Sequence, residues 1–99
     1  MNCKYYIGPM SKNVVDTIIE FCNETNNIIC LIPSRRQIEW NGGYVNNWNT
    51  KDFSKYVKTR TDKIFLQRDH AGPGQGNVDD NGYISLFDDC SHLDLIHID

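Results

Sequence analysis

Ninety-nine residues carrying ten basic and thirteen acidic side chains, a net charge of −3, describe one domain with a modest core, because a chain this short buries less than about three quarters of its unfolded surface. The mildly acidic balance gives no electrostatic reason to expect nucleic acid or an anionic membrane as a partner, and no apolar run approaches the ~20 residues of a membrane span. Cys3, Cys22, Cys30 and Cys90 stand apart with no CxxC pair, and no charged n-region and apolar h-region open the chain, the pattern of reduced thiols in a cytoplasmic protein.

In chain order, "KYYIGPM" is a short strand closed by Gly8 and Pro9, and Ser11 stands where a helix N-cap belongs, its hydroxyl able to accept an orphan N–H. Val14, Val15, Ile18, Ile19 and Cys22 then recur at the spacing of one helical face, with Lys12, Asp16, Glu20 and Asn23 off it, which predicts an amphipathic helix. "NETNN" ends that helix, since Asn and Thr compete for backbone hydrogen bonds. "IICLI", bounded by Asn27 and Pro33, is the continuous apolar run of a strand covered on both faces.

After the polar stretch "PSRRQIEWNGGYVNNW", Asn49 or Thr50 can cap a second helix with Phe53, Tyr56 and Val57 on one face, extended by the stem of Arg60. "IFL" is the third strand, and its exit loop is expected to carry Arg68, Asp69 and His70 before the glycine-rich "AGPGQG". "ISLFDDCSH" has the length of about two helical turns, and "LDLIHID" is the last strand. The order β-α-β-α-β-(α)-β with short links predicts an α/β fold with parallel strands.

That topology explains where the polar residues fall. In parallel β/α architectures the loops after the strands' C-terminal ends converge on one face, where binding and catalytic groups gather. Here the four exits hold Gly8 to Ser11; Ser34, Arg35, Arg36, Gln37, Asn41, Gly42, Gly43 and Tyr44; Arg68, Asp69 and His70; and His97 and Asp99. Glycines after His70 let the backbone turn away without crowding a ligand.

These segments also carry a family resemblance. "IICLIPSRRQIEWNGGYVNNWNTKDFSKYV", "IFLQRDHAGPGQG" and "LDLIHID", in that order, resemble the N-terminal part of the non-catalytic subunit family of class II D-tagatose-bisphosphate aldolase, also known as tagatose-6-phosphate kinase-like proteins. Gln37, Gly42, Gly43 and Tyr44 match its Gln-x-x-x-x-Gly-Gly-Tyr; Asp69, His70, Gly72 and Pro73 match Asp-His-x-Gly-Pro; Ile96, His97, Ile98 and Asp99 match Ile-His-hydrophobic-Asp. The resemblance implies a (β/α)8 TIM barrel, which takes about 250 residues. Residues 1–99 therefore correspond to the N-terminal half of such a barrel, a partial (β/α)8 barrel expected as a piece of a longer chain beginning at Met1, or as a half-barrel pairing with a copy of itself or another chain.

By the same resemblance, Asp69 is the candidate catalytic acid/base and His70 a candidate Zn²⁺ ligand, with His97 as a possible second; a neutral imidazole on Zn²⁺ would serve a Lewis-acid role. Arg35, Arg36, Gln37, Asn41, Gly42, Gly43, Arg68 and Asp99 are the candidate substrate-binding residues for a sugar phosphate, the two adjacent arginines through the guanidinium fork, although the family carries small polar residues there and consecutive side chains do not readily face one way. Trp40 and Trp48 can stack on a sugar or pack over the rim. The expected role is in carbohydrate metabolism, as an accessory aldolase subunit beside a catalytic chain or in a homo-oligomer, or alternatively as a metal-dependent aldolase or epimerase of a phosphorylated sugar or sugar acid.

Other readings stay open. Asp69 and His70 can be a structural hydrogen-bonded pair. "NVDDNGYISLFD", residues 77–88, partly matches an EF-hand calcium loop, with Asn77, Asp79, Asn81 and Gly82 at positions one, three, five and six and Asp88 at twelve, but no helix can precede it across "HAGPGQG". "GPGQG" lacks the Gly-Lys-Ser/Thr ending of a phosphate-binding P-loop.

Overall fold

The computed structural model describes residue 3, residues 5–71 and residues 83–98. Among these residues four strands and three helices alternate: β1 (Tyr6–Ile7), α1 (Lys12–Thr25), β2 (Ile29–Leu31), α2 (Thr50–Lys58), β3 (Ile64–Ala71), α3 (Ile84–His92) and β4 (Leu95–Ile98). The strands form one sheet in the order β1-β2-β3-β4, and every adjacent pair is parallel. Spatial order follows chain order with no reversal. The sheet therefore lacks the switch point of a doubly wound fold and has the strand order of a (β/α) barrel segment.

Local sequence fixes the helix boundaries. Ser11, extended at φ −160°, accepts the Val14 N–H on its hydroxyl at 3.1 Å, and Asn26 ends α1 in the left-handed conformation at φ 60°. Asn49 caps α2 by accepting the Asp52 N–H at 2.8 Å. Val15, Ile18, Ile19 and Cys22 of α1 and Phe53 and Val57 of α2 share one core with Ile29, Leu31, Ile64 and Leu66 of the sheet, closed by Ile38, Val45, Trp48 and Leu93. Because α3 joins the same side through Asp89 and Arg68, all three helices cover one face of the sheet.

Among the described residues no helix covers the other face. Strand alternation places Tyr6, Cys30, Phe65 and Gln67 there, and the registers Tyr6↔Cys30, Cys30↔Phe65 and Gln67↔Leu95 put them in rows. Tyr6 and Leu95 are exposed on it.

The structure departs from the sequence reading at β3, which does not end at Leu66. It runs on to Ala71 because Asp69 bridges to Ser34 and the strand keeps pairing with β4. Between Arg68 and Ala71 three steps of β3 face two steps of β4, from Ile96 to Ile98, which is a β-bulge. His70 sits in that bulge at φ 55°, a left-handed backbone that costs a non-glycine residue about 1–2 kcal/mol. His97 likewise lies inside β4, and His92 lies in the last turn of α3. Among the described residues no helix is long and apolar enough to cross a membrane.

Candidate functional site

At the C-terminal end of β3, on the bare face, the Asp69 carboxylate lies between two imidazoles. Its Oδ1 is 3.7 Å from His70 Nε2 and 4.0 Å from His97 Nδ1, distances too long for direct hydrogen bonds. The two rings are 5.7 Å apart between centroids. Strand geometry builds this group: Gln67↔Leu95 pairing sets residues 69 and 97 side by side on one face, and the bulge brings His70 to the same edge.

The neighbouring exits converge on it. The Asp69 N–H donates to the Pro33 carbonyl at 3.0 Å, fixing the β2 exit against β3. Ser34 and Gln37 then hold each other, the Ser34 N–H donating to Gln37 Oε1 at 2.9 Å and the Gln37 N–H to Ser34 Oγ at 3.2 Å. Gln37 Nε2 lies 3.7 Å from where a Cβ on Gly8 would stand, so its amide reaches the β1 exit. All four strand exits therefore form one continuous edge.

The structure sorts the remaining sequence candidates. Arg35 and Arg36 point apart. Arg36 is exposed, whereas Arg35 is buried in an ion pair with Glu39, its Nη2 2.6 Å from Oε2. Arg68 is also withdrawn from the surface. Its Nε and Nη2 grip both Asp89 oxygens at 3.0 and 2.8 Å, Nη1 donates to the carbonyls of Pro33, Ser34 and Ile38, and Nη2 reaches Thr50 Oγ1. A guanidinium has five N–H donors, and these bonds occupy them. Arg35 and Arg68, taken from sequence as ligand donors, instead build the floor under the edge. Burial pushes the Asp89 carboxyl above its usual range, against the pull of Arg68.

Gly42 and Gly43 have backbone reasons of their own. Gly42 adopts φ 102°, and a Cβ on Gly43 would stand 2.0 Å from the Gln37 carbonyl oxygen. The Gln37-to-Gly43 spacing thus reflects a loop folded back on itself, held by Gly43 N–H to Trp48 O and Val45 N–H to Gln37 O. Asn41 is exposed on that loop. Trp48 packs inward against Phe53 and Tyr56, at 5.5 and 4.9 Å between centroids. Asp99, Gly72, Pro73, the "GPGQG" stretch and positions 77–82 of the EF-hand-like loop lie outside the described residues.

Sequence reasoning missed Glu39 and Asp89, the buried anions. Glu39 was legible, four residues after Arg35 on a turn that brings such pairs together. Asp89 was not, because only the tertiary fold brings it to Arg68.

Asp69, His70 and His97 are of the ligand types that a catalytic Zn²⁺ takes, but among the described residues no three His, Cys, Asp or Glu side chains are arranged to hold a metal ion. What the group can do without metal is clear from its chemistry: Asp69 accepts hydrogen bonds or a proton, and the two imidazoles donate, accept or exchange protons beside it.

No protein-family model and no curated protein matches the chain. Among solved structures, the crystal structure of a probable tagatose 6 phosphate kinase from Sinorhizobium meliloti 1021 matches 73% of this chain with a TM-score of 0.55 and 22% sequence identity. The matched part makes up 20% of that protein's chain, so the likeness spans a fifth of its length. At this identity the likeness is one of fold, and it agrees with the parallel, chain-ordered sheet.

Proposed function

We propose that the chain is a sugar-phosphate-binding α/β module of carbohydrate metabolism, cytoplasmic, with the accessory role of a class II tagatose-bisphosphate aldolase subunit working beside a catalytic chain. The observation that carries this reading is the Asp69 carboxylate set between His70 and His97 at the edge where all four strand exits meet. Sugar hydroxyls need closely spaced acceptors and donors, which Asp69, the imidazoles and Gln37 supply; the exposed Arg36 guanidinium suits a phosphate. His70 adds weight, because a histidine held at φ 55° is a strained choice of the kind that gathers at ligand sites. The fold likeness to a protein described as a tagatose 6 phosphate kinase supports the same substrate class.

The test is titration of the protein with tagatose 6-phosphate, and separately with inorganic phosphate, following the His70 and His97 ring protons by NMR. Saturable shifts are expected with the sugar phosphate. Asp69→Asn should weaken binding about tenfold, the worth of one hydrogen bond to a charged group. Unmoved imidazole signals at saturating sugar phosphate would refute the assignment. The flanked carboxylate also favours a second reading, an aldolase or epimerase acting through Asp69 as acid/base. Turnover of a phosphorylated sugar abolished by Asp69→Asn would establish that reading in place of the accessory one.

A further inference from the structure

Cys30 is buried outside the main core cluster. Its neighbours Ile29 and Leu31 join the cluster under the helices, whereas Cys30, 0% accessible, does not, because strand alternation turns it to the opposite face. No described helix lies there. The residues beside it in register are Tyr6 and Phe65, and Tyr6 is itself 53% accessible, so cover comes from elsewhere as well. Part of it is Cys3. The Cys30 N–H donates to the Tyr5 carbonyl at 3.0 Å and the Ile32 N–H to the Ile7 carbonyl at 2.9 Å, which fastens β1 on β2. Just ahead of Tyr5, the Cys3 thiol lies in hydrogen-bonding contact with the Cys30 thiol.

The two thiols differ in what can reach them. Cys3 is partly exposed and Cys30 is sealed. Burial pushes the Cys30 thiol up to about 11, so near neutral pH it does not attack a reagent from solution. An accessible thiol poised beside a buried one is the arrangement of an attacking and a resolving cysteine, and bridges of that kind in reducing compartments are transient and redox-sensing.

We propose that Cys3 and Cys30 are a reversible redox pair, whose disulfide clamps the chain ahead of β1 onto the interior strand β2. The oxidant is a small disulfide of the glutathione type. The Cys3 thiolate attacks one of its sulfurs, the glutathione S–S bond breaks, and one glutathione thiolate leaves and takes up a proton. The Cys30 sulfur then attacks the Cys3 sulfur of the mixed disulfide, its proton passes to the departing second glutathione thiolate, and the bridge closes. The protein has lost two electrons and two protons, oxidised glutathione has gained them as two thiols, and excess reduced glutathione reverses both steps. Because the bridge encloses β1 and α1 in one loop, it restricts the unfolded chain and raises stability.

Incubating the dilute 99-residue chain with oxidised glutathione, then mapping its links by mass spectrometry with peptide fragmentation, tests this. The native protein is expected to carry one internal link, Cys3 to Cys30, with exposed Cys90 as a glutathione adduct. In urea the links should shift toward Cys22 and Cys30, the pair nearest in sequence, since shorter loops close at lower entropic cost. A native protein in which Cys3 stops at the adduct, stays a free thiol, or links to Cys22 or Cys90 would overturn the proposal. So would the same Cys3–Cys30 preference in urea, because the fold would then not select the pair. Cys30→Ser should leave Cys3 as a stable adduct and Cys3→Ser should leave Cys30 unmodified; reaction of Cys30 without Cys3 would refute the assigned order. Should either variant not fold, the link map of the unmodified chain decides alone. The clamp has its own readout: the oxidised chain should unfold at a higher urea concentration than the reduced one and revert with dithiothreitol, and a bridge that leaves the midpoint unchanged or lower would refute it.

Discussion

Arg68 and Asp89 meet in a two-pronged ion pair sealed from solvent, the guanidinium on β3 and the carboxylate on α3, with side-chain accessibilities of 0% and 1%. The pair does more than join two elements. Through the same guanidinium the carbonyls of Pro33, Ser34 and Ile38 are drawn onto the residue that directly precedes Asp69. The loop after β2 and the carboxylate of the candidate site are therefore placed by one side chain. A buried guanidinium with every donor occupied satisfies the rule that charges leave water only when paired and hydrogen-bonded.

Removing one partner from this pair should be costly. Asp89→Ala leaves Arg68 buried and half unpaired, and the expected loss is about 3–5 kcal/mol of folding stability, a large share of the ~5–15 kcal/mol of an ordinary domain. Urea denaturation followed by circular dichroism measures it. A loss under about 1 kcal/mol would mean that Arg68 is solvated or re-paired.

The glycines of the loop offer a sharper contrast. A methyl on Gly43 meets the Gln37 carbonyl oxygen at 2.0 Å and its carbon at 2.4 Å, whereas on Gly8 it meets nothing nearer than Gln37 Nε2 at 3.7 Å. Gly43→Ala should thus cost about 1–3 kcal/mol or more, the usual penalty of overpacking. Gly8→Ala should leave stability within about 0.5 kcal/mol. The same urea midpoints decide, and equal behaviour of the two variants would contradict the folded-back loop.

A third expectation concerns acid. The Tyr56 hydroxyl, and after it Lys12, hold the Asp16 carboxyl below its ordinary 3.8. A carboxyl depressed in the folded state stabilises the fold above its unfolded value, and that contribution is lost as pH falls through the folded one. Because Asp16 is two-fifths exposed, solvent screening keeps the effect below about 1 kcal/mol. Tyr56→Phe should accordingly be less stable than the parent near neutral pH and approach it below pH 3. Parallel stability curves for the two proteins across that range would rule out the Asp16 linkage.

How much of this was legible in the sequence depends on the distance over which each feature is decided. Ser11, Asn26 and Asn49 act within three residues of themselves, and the caps they form could be placed from local chemistry. The apolar stripe of α1 is set by helical period, and it emerged with Val15, Ile18, Ile19 and Cys22 inside as expected, while Val14, also expected there, is only partly buried. Parallel topology followed from element order. The end of β3 was not legible, because Arg68, Asp69 and His70 look like loop residues until the Ser34 bridge and the β4 register are known. For the same reason the two buried arginines were mistaken for ligand donors: a buried cation is identified only by its anions, and Asp89 is twenty-one residues from Arg68. The Asp69 group itself was visible as a concentration of polar residues at strand ends, while its separation into site and floor required the fold.

The thiols extend that contrast to reactivity. Cys22 and Cys30 are buried, Cys3 is intermediate and Cys90 exposed. Burial, with a smaller push from the neighbouring Cys3, drives the Cys30 thiol up to about 11, and burial raises Cys22 as well. Only the thiolate attacks an alkylating reagent, so at pH 8 both core cysteines are protected twice over, by access and by protonation. Maleimide labelling of the native protein should modify Cys90 first and Cys3 more slowly, with Cys22 and Cys30 untouched until urea unfolds the chain. Peptide mapping after a timed reaction reads the order. Early modification of Cys30 would show that β2 is not at the centre of the sheet, and the register that places Asp69 beside His97 would fall with it.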